Sequence, residues 1–554
     1  MNALAPKPWN AADMSLSTLL TTSSLRPPKS KLGCKTCKIR RVKCGEEKPS
    51  CLRCSNTGRK CDYEGTAISF KPVSPLSLSP NTVWRERRAF AYYFEEAAPS
   101  VGGELDVDFW RTIVPQICRS EPAVWDAINS ISALFESPEP FPDLAFVRQG
   151  DSCTLNQNHR DAISWYSRSV SAVRQRIERG DIDIFVGLVS CVLFICIEAL
   201  QGGMEEALQL YSQGVHLIHT FRAHAATGVV SAAHAFLVED TIVPIFIRLG
   251  TIAPTTSSNP VGTLLLDAEE TYEFVSLKSA RDAMALLGTE AQLFQRTCVN
   301  HIREFRVSHV PPELEDQQIA LSTRLRKWYT AYTDLMESLG TKYVLSPQQI
   351  RTGALLVAYH ETMIVILATC VTSRSEILTD AYLPNFQTII DQSRIALDAS
   401  ARPDGTQPPF TFDASIAVPL WFTCLRCRDP SLRRTALALL RRTPQVYGFY
   451  KNTHATTFVE KMVVVETMLA VNAAQEMASA TTLESSNTSI PEEARLGPVT
   501  VFRAREGFPP GTTEEEIAKW SHNPDQAFLR FSRNKHELAS DTWQLVHEYI
   551  PIDL

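Results

Sequence analysis

Residues 34–61 read CKTCKIRRVKCGEEKPSCLRCSNTGRKC and hold six of the fourteen cysteines of the chain. The stretch contains one pattern twice: a cysteine, two residues, a cysteine, six residues and a third cysteine, first from Cys34 to Cys44 and again from Cys51 to Cys61. The two-residue spacing lets two sulfurs converge on one metal ion from a tight turn, and the six-residue spacing leaves room for a short helix. Because structural zinc prefers four tetrahedral thiolate or imidazole ligands, this stretch predicts a zinc-bound module.

Six cysteines are too few for two separate four-ligand sites, so two thiolates would have to bridge two zinc ions. The internal symmetry makes the first cysteine of each unit, Cys34 and Cys51, the natural bridge. Two other interpretations are open. Disulfides conflict with the absence of an export signal in residues 1–30, and a single four-cysteine site leaves the repeat unexplained. The predicted ligands of a two-zinc cluster are Cys34, Cys37, Cys44, Cys51, Cys54 and Cys61.

Charge is distributed as unevenly as cysteine. The 554-residue chain has 55 basic and 61 acidic residues and a net charge of -6, and it is 44% apolar, which is typical of globular proteins. Residues 31–65 contain ten basic and four acidic side chains, so this segment is +6 and the remainder is -12. A basic segment on an acidic body indicates a local contact with nucleic acid.

The cysteine spacing and the basic residues after the second cysteine resemble the fungal zinc binuclear-cluster transcription regulators. The proline in the connection, Pro49, also matches. The resemblance implies that the helix after Cys37 enters the major groove of double-stranded DNA at a CGG-type triplet. By motif position, Arg40 and Arg41 fall where the family makes base contacts, although the second position is usually lysine in that family. The residues predicted to contact phosphate are Lys38, Lys43, Arg53, Arg59 and Lys60.

The rest of the chain has a helical pattern. From Trp84 onward, segments of 12–28 residues carry apolar side chains at spacings of three and four, and strand-like alternation is scarce. The most apolar stretch, residues 184–197, is shorter than a bilayer span needs, so we expect a buried helix and no membrane contact. The sequences IEALQGGMEEALQLYSQGVHLI and FIRLGT resemble the helical regulatory region of the same family, which implies a role in regulation.

These patterns predict a mostly α protein with a small N-terminal zinc module, a linker and a large all-α domain. The expected segments are a disordered N-terminus at 1–30, the zinc cluster DNA-binding domain at 31–65, a linker at 66–83 and the all-α regulatory region at 84–554, with a disordered stretch near 481–511. A homodimer is open, because no heptad run extends over three turns.

Together they favour a zinc-dependent, sequence-specific regulator of RNA polymerase II genes, located in the nucleus and contacting the transcription machinery. The resemblance suggests regulation of a metabolic or secondary-metabolite gene cluster. Hydrolase, kinase, nucleotide and zinc-protease signatures are absent from the sequence, so no catalytic residue is predicted. Two alternatives stay open: a helical enzyme or metabolite-binding protein with an accessory zinc module, and a chromatin or scaffold protein that binds DNA without sequence preference.

Overall fold

The computed structural model describes a zinc-cluster module and a large, mostly helical body. The described residues are 34–40, 42–47, 50–61, 84–103, 105–137, 155–181, 183–252, 260–265, 272–305, 307–342, 344–372, 375–478, 490–497, 499–509, 512–520, 523–524, 526–537 and 542–552. The segments predicted as a disordered N-terminus, 1–30, and as a linker, 66–83, lie outside these ranges. The structure is 72% helical, which confirms the predicted fold class.

The module contains two short helices, one in each cysteine unit. Helix α1 (Lys35–Ile39) begins one residue after Cys34, and helix α2 (Leu52–Ser55) begins one residue after Cys51. Gly58 closes the second unit with φ +61°, a left-handed conformation that only glycine adopts without strain. The equal placement of the two helices follows the repeat in the sequence.

Helices make up most of the described part of the body. Its first half contains α3 (Trp84–Tyr92), α4 (Ala98–Gly102), α5 (Val114–Ile117), α6 (Pro122–Glu136), α7 (Gln157–Arg179), α8 (Ile184–Gln201), α9 (Met204–Ala226), α10 (Ala232–Leu237) and α11 (Val243–Ile252). Its second half contains α12 (Leu277–Phe305), α13 (Pro312–Lys342), α14 (Pro347–Thr369), α15 (Ser375–Leu378), α16 (Leu383–Ser400), α17 (Ala417–Arg426), α18 (Pro430–Leu440), α19 (Asn452–Ala478) and α20 (Glu514–Trp520).

Side-chain caps fix several helix starts. The Asn156 side chain accepts from the His159 amide, Asp183 accepts from the Phe185 amide, and Ser346 and Gln349 form a capping box. Gly180 ends α7 with φ +66°, again a left-handed position.

Helix α8 lies in the middle of the largest apolar core. Twelve of its eighteen residues are buried, and it packs against α6 and α9. By length and composition alone, α8 and α14 could each cross a membrane, but 72% of each apolar window is buried inside the protein. Burial in a protein core explains the apolar composition, as predicted for residues 184–197.

A buried ionic cluster connects segments far apart in the chain. Arg281 of α12 is 1% exposed, and its guanidinium donates to Asp106 at 2.8 Å and to Asp413 at 3.1 Å. Arg248 of α11 also pairs with Asp106. The cluster holds the loop after α4, two helices and the segment after the first strand in fixed positions.

Two three-stranded sheets interrupt the helical pattern. The smaller contains β1 (Phe410–Thr411), β2 (Val446–Tyr447) and β3 (Tyr450–Lys451). The larger is antiparallel in the order β4 (Val499–Arg503), β5 (Ala527–Glu537) and β6 (Thr542–Ile552). Pro551 lies in β6, an edge strand, where a missing N–H is tolerated.

The larger sheet lies within the region expected to be all-α. The central strand β5 lacks the alternation of polar and apolar residues that predicts a strand, because it is buried on both faces. On one face Leu529 and Phe531 pack with Met462 of α19, and on the other the ring of Phe528 stacks on that of Phe502 at 5.2 Å.

Within the stretch 481–511, where disorder is expected, the structure describes residues 490–497 and 499–509. Strand β4 and two 3₁₀ turns (Glu492–Ala494 and Ala504–Glu506) lie there. The segment is fixed by its side chains: Arg495 pairs with Asp380 at 2.6 Å, and Leu496 is 2% exposed.

Candidate zinc centre and nucleic-acid interface

Four cysteine sulfurs of the module meet at one point. The Sγ atoms of Cys34, Cys37, Cys51 and Cys54 all lie within 4.8 Å of one another. Cys34 is 3.8 Å from Cys51 and 3.6 Å from Cys54, and Cys37 is 3.7 Å from Cys51 and 3.8 Å from Cys54. All four side chains are fully buried. Each unit of the repeat therefore contributes its first two cysteines to a common centre.

The third cysteine of each unit returns to the same centre. The Cys44 sulfur accepts from the backbone amides of Cys34 and Glu46 at 3.3 and 3.4 Å, and the Cys61 sulfur accepts from the Cys51 amide at 3.3 Å. The two contacts from Cys34 and Cys51 are equivalent in the two units. The structure thus brings together all six cysteines that the spacing predicts as ligands.

The sulfur distances fit zinc. A tetrahedral site with Zn–S bonds of about 2.3 Å has sulfur–sulfur edges of about 3.8 Å. If Cys34 and Cys51 bridge the two ions, each of them shares an ion with the other, Cys34 shares one with Cys54, and Cys51 shares one with Cys37. Three of the four measured distances are therefore edges of a zinc site. The fourth distance, between Cys37 and Cys54, joins sulfurs on different ions. Cys51 is hydrogen-bonded to sulfurs of both units, Cys37 and Cys44 on one side and Cys54 on the other. The donor set fits a two-zinc cluster.

The electrostatics of the thiols also favour a cation. Burial, together with neighbouring thiols, raises the pKa of Cys34 and Cys37 above the ordinary value, and it raises that of Cys54 to about 12. Burial opposes ionisation of Cys51 as well, but hydrogen bonds from the Cys54 amide and the adjacent thiols lower its pKa. Six thiols this close cannot all ionise unless positive charge is supplied between them.

Two polar contacts join the units on the surface of the module. The Arg40 guanidinium donates to the Thr57 hydroxyl at 3.2 Å, and the Thr36 hydroxyl donates to the Lys60 carbonyl at 2.9 Å. The Thr57 hydroxyl in turn donates to the Arg53 carbonyl at 2.8 Å. Sequence reasoning missed both threonines, although Thr57 stands at the position of the second unit equivalent to Arg40.

The residues predicted to contact DNA lie on both units. Arg40 is half-buried and follows α1 directly, so its guanidinium is tethered beside that helix. The other described side chains are exposed: Lys43, Arg53, Arg59 and Lys60. Arg41 and the side chain of Lys38 lie outside the described part of the chain. The exposed apolar residues Ile39 (74%) and Leu52 (58%) flank these cations.

Two further features of the sequence have structural explanations in the body. Cys424 and Cys427, spaced like a metal or redox pair, are buried in an apolar core, where burial raises their pKa values to about 12 and about 11. Arg433 is buried in an ion pair with Glu466 at 2.6 Å, and the exposed Arg441 and Arg442 pair with other carboxylates of the body. These three arginines have partners inside the body.

Residues 32–67 match the fungal Zn(2)-Cys(6) binuclear cluster domain. The chain is 27% identical over 218 residues to the aspercryptin biosynthesis cluster-specific transcription regulator atnN of Emericella nidulans, covering 34% of this chain and 35% of that protein. It is 25% identical over 227 residues to the transcription regulator lscL of Purpureocillium lilacinum, covering 36% and 52%. It is 30% identical over 120 residues to the Zn(2)-C6 fungal-type transcription factor afumD of Aspergillus fumigatus, covering 19% and 32%.

The matched region spans about a third to a half of the length of the first two relatives. No solved structure matches the chain significantly. The domain match covers the whole cysteine cluster and confirms the resemblance seen in the spacing and the expectation of zinc as cofactor.

Proposed function

We propose that this chain, whose residues 32–67 match a fungal Zn(2)-Cys(6) binuclear cluster domain, is a sequence-specific DNA-binding transcription regulator of RNA polymerase II genes. The observation that carries the proposal is the convergence of four thiols, with Cys44 and Cys61 packed against them, within 28 residues that also present exposed basic side chains. The relatives are named as transcription regulators, not as enzymes, which supports a non-catalytic role.

The module depends on metal for its fold. It has two helices of five and four residues, and its buried apolar set consists of cysteines alone. A segment this small cannot supply a hydrophobic core, and structural zinc contributes on the order of 10 kcal/mol or more to such folds. Cys34 and Cys51 would hold both ions, and Cys37, Cys44, Cys54 and Cys61 would each bind one of them.

Sequence readout rests on the first unit. We assign base contacts in the major groove to Arg40 and Arg41, because arginine donates in a bidentate manner to guanine O6 and N7. The CGG-type triplet follows from the same chemistry and from the family resemblance. Phosphate contacts are assigned to Lys38, Lys43, Arg53, Arg59 and Lys60, which supply affinity without sequence information.

Net charge supports several phosphate contacts. Residues 31–65 carry +6 when the thiols are neutral, and six thiolates with two Zn²⁺ change this by -2, to about +4. The rest of the chain carries -12, so attraction to DNA is confined to the module. Binding should therefore be sensitive to salt.

The body serves regulation in this proposal. Its relatives include a regulator named for a biosynthesis cluster, which supports control of a metabolic or secondary-metabolite gene cluster. Nuclear location, contact with the transcription machinery and a homodimer on paired half-sites belong to the same proposal. The domain boundaries proposed are 31–65 for the DNA-binding domain and 84–554 for the regulatory region.

A binding measurement separates this function from its rivals. The double variant Arg40→Ala, Arg41→Ala in the zinc-loaded full chain is compared with wild type on a duplex containing CGG and on a scrambled duplex, by fluorescence anisotropy. We expect wild type to prefer CGG by at least 100-fold and the variant to lose most of that preference.

The rivals give different results. Equal weakening on both duplexes, or no preference in wild type, supports a scaffold that binds DNA without reading sequence. A turnover that survives deletion of residues 34–61 supports an enzyme with an accessory zinc module.

A further inference from the structure

A cavity of about 170 Å³ lies where the helical body meets the C-terminal sheet. Its wall is mostly apolar and comes from α17, α19, β4 and the segment before β4, with Gln295 of α12 as a further polar member. The main lining side chains are Trp421, Phe422, Leu425, Arg426, Met462 and Val499. A cavity of similar size, 150 Å³ or so, is large enough for benzene in an engineered protein core.

One charged side chain faces this apolar space. Arg426 is the last residue of α17, and 20% of its side chain is exposed. Its Nη1 atom pairs with Glu376. A guanidinium carries five N–H donors in a planar fork, so this ion pair leaves donors for a second acceptor.

The arginines around Glu376 outnumber the carboxylates with which they form ion pairs. Glu376 also pairs with Arg428 at 2.9 Å, and Glu466 pairs with Arg428 at 2.8 Å and with Arg433 at 2.6 Å. Three guanidiniums therefore share two carboxylates, a formal excess of one positive charge. The neighbouring Arg495 adds nothing to the excess, because it pairs with Asp380 at 2.6 Å.

Hydrogen bonding in the same cluster is incomplete on both sides. Arg428 Nε and Arg433 Nη2 are buried and have no hydrogen-bond acceptor among the described residues, and the two Glu376 carboxylate oxygens, although they lie in ion pairs, also lack a hydrogen bond there. Burial and the adjacent Arg428 lower the pKa of Arg426 to about 10, so its guanidinium stays charged at neutral pH. Arg426 is the member of the cluster that lines the cavity, and an anion can reach it there.

We propose that this cavity binds a small aromatic monocarboxylate, with the ring against Trp421 and Phe422 and the carboxylate on Arg426. The aromatic wall and the volume select a single ring. The excess positive charge selects an acid over the corresponding amide, because a carboxylate accepts two N–H donors from one guanidinium. Such a ligand would join α17 to β4 and so connect the helical body to the sheet.

The test uses benzoate and benzamide as probes of equal shape and different charge. Isothermal titration calorimetry on the full zinc-loaded chain should give one site for benzoate, with at least tenfold tighter binding than benzamide. Arg426→Gln should weaken benzoate at least tenfold and change benzamide by less than twofold. Arg434→Gln, an exposed arginine on the adjacent α18, is the matched control and should change neither.

A second variant and a second anion keep the test decisive. Val499→Phe, which fills the cavity from β4, should weaken both probes, and this result holds even if Arg426→Gln fails to fold. Inorganic phosphate should not compete with benzoate. Equal affinity for the two probes, absence of binding at 10 mM benzoate, or competition by phosphate would each overturn the proposal. None of these outcomes involves DNA, so they leave the proposed DNA-binding function unaffected.

Discussion

Arg40 and Thr57 occupy equivalent positions in the two cysteine units, and the Arg40 guanidinium donates to the Thr57 hydroxyl at 3.2 Å. The hydroxyl is itself held by donating to the Arg53 carbonyl at 2.8 Å. The second unit therefore fixes the direction of a basic side chain that belongs to the first. A long side chain held in place before binding loses less conformational entropy when it contacts a base.

Thr57→Val should weaken the preference for a CGG duplex. The substitution keeps the side-chain shape but removes the acceptor, and a lost hydrogen bond of about 1 kcal/mol corresponds to roughly a fivefold loss of affinity. Fluorescence anisotropy on CGG and scrambled duplexes measures this, with zinc content checked in parallel. Thr57→Ser keeps the hydroxyl and should therefore retain the wild-type ratio of affinities for the CGG and scrambled duplexes. If Thr57→Val weakened both duplexes equally, Thr57 would act on the module's stability and not on readout.

Zinc stoichiometry should distinguish bridging from terminal cysteines. If Cys51 bridges both ions, Cys51→Ala should leave the module with fewer bound zincs than Cys61→Ala, because it removes a ligand from each site. Elemental analysis of the purified full chain against wild type, which should hold two zincs, measures the difference. Cys118→Ala, a buried body cysteine outside the cluster, is the control and should keep both ions. Identical losses for Cys51 and Cys61 would refute the bridging assignment.

Salt dependence should separate phosphate contacts from base contacts. Lys60→Gln removes an exposed cation, so it should weaken CGG and scrambled duplexes alike and reduce the slope of log affinity against log salt by about one. Titrations between 50 and 300 mM KCl, over which the Debye length falls from about 14 Å to about 6 Å, give the slope. Lys451→Gln, a half-buried body lysine, is the control. If the slope of log affinity against log salt were unchanged in Lys60→Gln, this lysine would not contact the DNA phosphates.

The sequence alone was sufficient for the metal centre because the chemistry is local there. Spacing fixes which sulfurs can share an ion, and Cys34, Cys37, Cys51 and Cys54 do converge. The contact between Arg40 and Thr57 was not predictable, because it depends on how the two units pack and no periodic pattern marks it. Phe528 illustrates the same limit in the body, since a strand buried on both faces lacks alternation.

The cavity beside Arg426 could not be predicted from the sequence either. Its lining comes from α12, α17, α19 and the residues Leu496, Gly497 and Val499, which are separated by tens of residues. Only the ion pairs of the folded chain show that three arginines, Arg426, Arg428 and Arg433, share two carboxylates, those of Glu376 and Glu466.

Arg281→Met should strongly destabilise the body. Arg281 is 1% exposed and pairs with Asp106 and Asp413, and their carboxylates raise its pKa above the ordinary value although burial opposes the charge. Removing it leaves Asp106 with Arg248 and Asp413 with Arg351 as their remaining partners, and breaking a buried ion pair costs about 3–5 kcal/mol. Thermal unfolding followed by circular dichroism should show a drop of several degrees or more. Arg394→Met removes an exposed pair with Asp391 and should shift the midpoint little, and equal shifts for both variants would contradict this account.

Stability should depend on pH through Glu198. Burial raises the pKa of Glu198 to about 7, with Glu206 adding to the rise and the hydrogen bond from Tyr166 at 2.5 Å opposing it. The folded state thus holds its proton more tightly than the unfolded state, in which a glutamate titrates near 4.5. The free energy by which the protonated Glu198 carboxyl stabilises the folded state is therefore fully present below pH 4.5. It is lost as the pH rises to 7, and the loss is roughly 3 kcal/mol.

The glutamine in Glu198→Gln cannot ionise, so this variant should not lose stability as the pH rises. We expect the variant to melt at a higher temperature than wild type at pH 8 and the difference to shrink as the pH falls to 5, because the wild-type carboxyl is then protonated in the fold. Glu205→Gln changes an exposed glutamate at the start of α9 and should give no such trend. A difference between wild type and Glu198→Gln that stays constant from pH 5 to 8 would show that the carboxyl is already ionised in the folded protein, since a permanent charge has no further proton to lose over this range.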